Sequence, residues 1–197
     1  MSNPMKGSMA DRSDDHLVDL AKQGDVEAFA ELARRCQERI FYSIFALTKN
    51  HQDASDLTQE ALMQAFKSLK TFKQRSSFNT WVYRIAVNLT LNFLKKGKRD
   101  GARQVLDESL SWAEAKEDAS PSPEGSSLKK ELSRKLREAV DSLPLPYRAS
   151  FVLVVFQGMT HNQAARVLGC SENTVSWRMH KARKILQASL NPYLEGR

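Results

Sequence analysis

Cysteine is nearly missing from this chain: Cys36 and Cys170 are the only two in 197 residues. They fall in different halves without metal-ligand spacing, so a disulfide framework and a thiolate metal site drop out, and the reading is reduced thiols in a cytoplasm. Long apolar runs are missing too, and none approaches the ~18 residues a membrane span needs. The opening "MSNPMKGSMADRSDD" carries no apolar core, so no secretory leader is expected. Glycine (8) and proline (6) are sparse and fall mostly in tail, linker and turn contexts. With no strand pattern or internal repeat, an all-α chain is expected. Nucleophile triads, phosphate loops and zinc spacings are likewise absent, so the chain is read as no enzyme, with no cofactor and no metal.

What is present is charge, unevenly spread. The net charge is +7, with 41% hydrophobic and 27% charged residues. Residues 1–106 hold 17 Lys/Arg against 12 Asp/Glu, residues 107–127 one against six, and residues 128–197 twelve against five. Two basic segments therefore flank a short acidic one. Basic segments of this size suit a polyanion, nucleic acid first among them; a merely soluble basic protein is the plainer alternative.

The length allows one or two domains. Residues 1–12 read as a disordered tail and 13–103 as a compact helical domain. Within it, helices are expected from Ser13 or Asp14 to Gln23, from a cap at Asp25 through "FALTK", and from a cap at Asp53 through "KSLK". Phe72 follows in a loop. Residues 104–127, acidic and rich in Ser and Pro, read as a flexible linker with Trp112 as its one oddity. Residues 128–197 form a second helical domain, in which Pro146 opens one helix and Gly158 ends it.

Two stretches carry candidate chemistry. In "SSFNTWVYRIAVNLTLNF" (76–93), Phe78, Trp81, Val82, Ile85 and Leu89 keep helical spacing and read as a buried stripe. Asn79, Tyr83, Arg84, Asn88 and Asn92 occupy the other faces, and the basic run "KKGKR" follows. In residues 160–190, Thr160 and Gln163 form a capping box, Gly169 supplies a left-handed turn, and Ser171 caps a second helix. Val175, Met179, Ala182 and Leu186 of that helix point inward; Asn173, Trp177, His180, Lys181 and Lys184 point outward. A short helix, a glycine turn and a longer helix with amides and cations outward is the helix-turn-helix pattern, which presents one helix to a major groove. An αα-hairpin with a solvated charged face is the plainer reading. A third group, Asp53, Asp56 and Glu60, shares one helical face and admits two readings from the residues alone: a metal-dependent hydrolytic site, or a solvated face of first-turn dipole partners.

Together the motifs "LVDLAKQGDVEAFAELARR", "DASDLTQEALMQAF", "FKQRSSFNTWVYRIAVNLTLNFLKKGKR" and "LPLPYRASFVLVVFQGMTHNQAARVLGCSENTVSWRMHKARKIL" resemble, in order, the bacterial RNA polymerase sigma factors of the sigma-70 family. The resemblance is to its short extracytoplasmic-function group, and it covers residues 14–190. It implies an alternative sigma factor with two helical domains, region 2 at 13–103 and region 4 at 128–197. It implies docking of Asp53, Asp56, Gln59 and Glu60 on the coiled coil of the polymerase largest subunit, further contact with the flap region, and an anti-sigma partner. It also implies minus-10 DNA contacts by Phe72, Tyr83, Arg84, Asn88 and Asn92, with Thr90 and Leu91 on a loop after the helix. There Phe72, Asn88 and Asn92 would line a flipped-base pocket, and Lys95, Lys96, Lys98 and Arg99 would hold phosphates. Trp81 matches an aromatic of the family, but its place in the apolar stripe favours the core. Minus-35 contacts fall to Glu172, Asn173, Thr174, Ser176, Trp177, Arg178, Lys181 and Lys184. This sequence has "NTVSWR" where the family usually has "GTV-x-SR", which places Asn173 at a glycine position and Trp177 at a serine position. A stand-alone helix-turn-helix regulator and a magnesium-dependent nuclease built on the Asp53 face are the rival readings.

Overall fold

A computed structural model describes residues 8–99 and 123–194. Among the described residues every regular element is helical, and none of the helices is long and apolar enough to cross a membrane. The described residues divide into two compact units, lying within Met1–Ile44 plus Gln52–Arg103 and within Phe45–His51 plus Gln104–Arg197. The sequence division assigned 45–51 to the first domain. In the structure Arg148 Nη2 donates to the Leu47 carbonyl at 3.1 Å, which ties that short stretch into the second unit.

The first unit holds α1 (Asp14–Lys22), most of α2 (Val26–Thr48), α3 (His51–Ser68) and α4 (Phe78–Arg99). Caps set the starts of the first two helices: the Ser13 side chain accepts from His16 N, and Asp25 Oδ1 accepts from Ala28 N at 3.0 Å. Gly24 stands between them at φ +103°, a conformation that disfavours side-chain-bearing residues. α3 starts two residues before the expected cap, so Asp53 lies inside its first turn and not at its N-cap. The core gathers Leu17, Leu32, Ile40, Ile44, Phe78 and Val82, each at most 2% exposed.

Residues 8–12, within the tail expected over 1–12, are structured. Ser8 caps a 3₁₀ turn at Met9–Asp11, and the Arg35 guanidinium donates to the carbonyls of Met9, Ala10 and Arg12 while pairing with Asp14 and Glu31. A five-donor side chain anchored by two carboxylates is what fixes this segment. Residues 1–7 and most of the expected linker, with Trp112, lie outside the described residues.

The second unit holds α5 (Pro123–Ser142), α6 (Leu145–Phe151), a π-helical segment Val152–Phe156, α7 (His161–Leu168) and α8 (Glu172–Leu194). α5 begins inside the stretch 123–127 read as linker; proline at its first position costs no hydrogen bond, since that N–H has no helical partner. Pro144 precedes α6, and Pro146 sits in its first turn. Val175, Met179, Ala182 and Leu186 of α8 are all buried, as their spacing predicts.

Candidate nucleic-acid interface

α4 is one continuous helix from Phe78 to Arg99, so Thr90 and Leu91 lie within it and not on a loop. Ser77 opens the helix, its Oγ accepting from Thr80 N at 3.2 Å. Its buried stripe is Phe78, Val82, Tyr83, Ala86, Val87 and Thr90, each 3% exposed or less. That stripe is rotated away from the expected one. Tyr83 is expected on a face beside the apolar stripe and Thr90 on a loop, both toward DNA, yet both are buried with their polar atoms satisfied. Thr90 Oγ1 donates back to the Ala86 carbonyl at 2.8 Å, and Tyr83 shares a hydrogen bond with Ser43 while burial pushes its phenol pKa up. Neither offers a group to DNA.

The rotation turns Trp81, Ile85 and Leu89, expected in the core, toward a cleft of about 290 Å³ between α3 and α4. Trp81 is only half-buried. Phe72, expected in the pocket, is 5% exposed and lies behind, stacked on Trp81 with centroids 4.8 Å apart and planes at 24°. The aromatic that lines the cleft is therefore Trp81, with Phe72 as its backing, and Lys22 Nζ sits 5.5 Å from the Phe72 centroid. The cleft's polar wall comes from Arg84, Asn88 and Asn92 of α4, which the sequence singled out, and from Gln64 of α3, which it did not. All four are exposed. Farther along α4, Lys95 and Lys96 are exposed, and Lys98 and Arg99 occupy its last turn. Apolar surface, an aromatic and several hydrogen-bonding side chains around one concavity suit a planar, polar-edged ligand beside a polyanion backbone.

α3 presents the acidic face elsewhere on this unit. Asp56, Gln59 and Glu60 are exposed, Asp53 is half-buried, and Gln52 Nε2 donates to Asp56 Oδ1 at 3.0 Å. Met63 (55% exposed) and Phe66 (45%) continue the face one and two turns on, an apolar extension the charge pattern did not announce. Its signal was the spacing 56, 59/60, 63, 66. Phe66 is steadied by the Phe29 ring 4.9 Å away. Among the described residues no group of His, Cys, Asp and Glu could hold a metal ion.

In the second unit the helix-turn-helix forms as spaced. Thr160 and Gln163 complete a reciprocal capping box, Gly169 closes α7 at φ +63°, and Ser171 Oγ accepts from Thr174 N at 3.1 Å. Thr174 is half-buried and engaged at the cap, its hydroxyl 2.8 Å from Ser171 Oγ. Two other expected readers are engaged across the motif: Glu172 accepts from Asn162 Nδ2 at 3.1 Å, and Ser176 Oγ lies 2.8 Å from His161 Nδ1. Arg178 is half-buried and directs Nη1 at Cys170 Sγ, 3.8 Å away, so it is not a fully outward cation. Asn173, Trp177, Lys181 and Lys184 are exposed. Trp177 stands 52% exposed, edge-on to Tyr147 at 5.7 Å and with Lys181 Nζ 5.7 Å from its ring.

Comparison with known proteins gives a consistent picture. Residues 32–100 match Sigma-70 region 2, and residues 133–186 match Sigma-70, region 4. The chain is 32% identical over 190 residues to the RNA polymerase sigma-H factor of Pseudomonas aeruginosa, covering 94% of this chain and 98% of that one. It is 30% identical over 186 residues to the ECF RNA polymerase sigma-E factor of Escherichia coli K12, covering 92% and 96%. Its fold is similar to that of CnrH solved with the cytosolic domain of CnrY, with a TM-score of 0.68 at 23% identity over 92% of this chain and 99% of that one. A similar likeness (TM-score 0.66, 22% identity, 84% and 98% covered) holds to RpoE of Bartonella quintana, solved with the anti-sigma factor NepR.

Proposed function

This chain belongs to the extracytoplasmic-function group of the sigma-70 family, and we propose that its first unit docks on core RNA polymerase and opens the minus-10 element while its second grips the minus-35 element. It is an alternative sigma factor and not a stand-alone regulator: both regions are present in order, and its relatives over nearly their whole length are polymerase sigma factors. Proteins of this kind are initiation factors; the chemistry of RNA synthesis belongs to the polymerase, and this chain contributes binding, placement and strand separation in the cytoplasm.

The observation that carries the reading is the cleft. Pulling a base from the duplex costs a few kcal/mol, and stacking on an aromatic returns ~1–3 kcal/mol per base. Trp81, held from behind by Phe72, supplies that surface, and Asn88 and Asn92, one turn apart on α4, meet the base edge. Lys95, Lys96, Lys98 and Arg99 hold the phosphates that follow, adding affinity without sequence information. Asp56, Gln59 and Glu60, with Asp53 at the margin and Met63 beyond, form the docking face for the polymerase coiled coil. In the second unit Asn173 and Trp177 reach the major groove and Lys181 meets a phosphate, while Glu172, Ser176 and Arg178 are engaged by Asn162, His161 and Cys170 of the same motif.

A partner that withholds the chain from polymerase belongs to the same reading, since one of the similar folds was solved with an anti-sigma factor. The deciding experiment is transcription in vitro with purified core polymerase on genomic DNA, with start sites mapped. Discrete starts that depend on this chain are expected. Binding to duplex operators without any polymerase-dependent start would overturn the proposal.

A further inference from the structure

Gln64 lies in the cleft without having a place in the recognition scheme above. It comes from α3, whereas Asn88 and Asn92 come from α4, so the three amides reach one concavity from two helices. Among the described residues none of the three side-chain amides makes a hydrogen bond to another protein group. Gln64 holds no structural post either. It is exposed, its helical neighbours Ala61 and Ala65 supply the packing, and among the described residues its one partner beyond the helix ladder is the Ser68 hydroxyl, which donates to its backbone carbonyl.

Two amides four residues apart on one helix form a single row and address one edge of a ring. A ring stacked on Trp81 and read along one edge still has freedom to slide in its own plane. A third amide from the other wall removes that freedom, because it offers one donor and one acceptor from a different direction. Bases differ in the order of donors and acceptors around the ring, so contacts from two directions discriminate where one row only binds.

We propose that Gln64 is a specificity-determining residue for the base held in this cleft, closing the recognition edge from α3 opposite Asn88 and Asn92. This rests on the reading of the cleft as the seat of a flipped minus-10 base. A solvated surface glutamine is the alternative that the test must remove.

The test uses the full chain with core polymerase and a promoter set carrying each of the four bases in turn at every minus-10 position, reading heparin-resistant open complexes. Asn88→Ala identifies the position the cleft holds, as the one whose base preference it flattens. Gln64→Ala is expected to flatten preference at that same position by about three- to ten-fold, the range of one lost hydrogen bond, while opening on the best base at other positions keeps its ranking. An equal loss across all bases, no change, or flattening at a different position would overturn the assignment. If Asn88→Ala flattens no position, the cleft is not the base site and the role of Gln64 falls with it. That result is distinct from a Gln64 failure beside a positive Asn88. The thermal midpoint of Gln64→Ala, expected to match the parent, excludes a folding effect.

Discussion

Asn88 and Tyr83 stand on the same helix and do opposite work. Asn88 is exposed on the cleft; Tyr83 is 3% exposed beneath it. Asn88→Ala is expected to change stability by less than about 0.5 kcal/mol, as exposed substitutions do, and to lower open-complex yield at 25 °C more than closed-complex binding. Tyr83→Ala is expected to cost about 3 kcal/mol or more by opening a core cavity, seen as a lowered thermal midpoint without promoter. Sequence pattern separated these two poorly because a hydroxyl does not announce which way it points. Asn88, Asn92 and Arg84 were legible, since amides and a cation beside an apolar stripe have few reasons to be buried. Trp81 was misread because aromatic spacing signals the core, and only the Phe72 stack behind it shows that one face is left open. Gln64 was invisible, because its relation to Asn88 is made by helix crossing.

Glu31 gives a pH signature at the same scale. Hydrogen bonds from Arg34 first and Arg35 second hold its carboxyl down from 4.5 to about 2. A depressed folded-state pKa contributes stability that is complete above the unfolded value and is lost as pH falls through the folded one. The parent should therefore exceed Glu31→Gln in thermal midpoint by a constant margin above pH 5. The margin should shrink between pH 4.5 and pH 2. A margin unchanged down to pH 2 would show that the pairing with Arg34 and Arg35 does not carry it.

Among elements, the helix-turn-helix was legible nearly to the residue and α4 was not. Thr160, Gln163, Gly169 and Ser171 each act through local hydrogen bonds or local φ, and local rules are what sequence encodes most directly. The loop expected at Thr90 and Leu91 is enforced by nothing local: no proline or glycine interrupts Phe78–Lys96, and burial of Thr90 keeps the helix running. The helical start at Pro123 was hidden by an acidic, serine-rich composition that reads as linker. Gly169→Ala tests the turn: no atom would meet the new Cβ within 4 Å, so any cost is that of φ +63° itself, about 1–2 kcal/mol for an L-residue. Thr160→Ala should cost about 1 kcal/mol by removing the cap. Chemical denaturation of the full chain, following the second unit's transition, checks both, and Gly169→Ala matching the parent would show that the turn relaxes.

At the scale of the whole chain, the two basic segments and the acidic face on α3 address different ligands. Net charge of +5 over residues 1–106 and +7 over 128–197 favours DNA from both ends, whereas the carboxylates of Asp56 and Glu60 suit a cationic protein surface, the docking face proposed above. Each face therefore has its own readout. Asp56→Ala with Glu60→Ala is expected to weaken capture of core polymerase at unchanged thermal midpoint, because both side chains are exposed. Lys181→Ala is expected to weaken promoter binding about equally across sequences and to lower the salt slope by about one, as loss of one phosphate contact does. The two sites lie in separate units, and among the described residues Asp56 pairs with Gln52 while Lys181 lies beside Trp177, so their effects on initiation should add in free energy within about 0.5 kcal/mol. Run-off transcription with the triple variant measures this. A triple variant no worse than the Asp56, Glu60 pair would mean that Lys181 contributes only once polymerase is already bound, and the second unit would then act as a follower of docking instead of an independent grip on DNA.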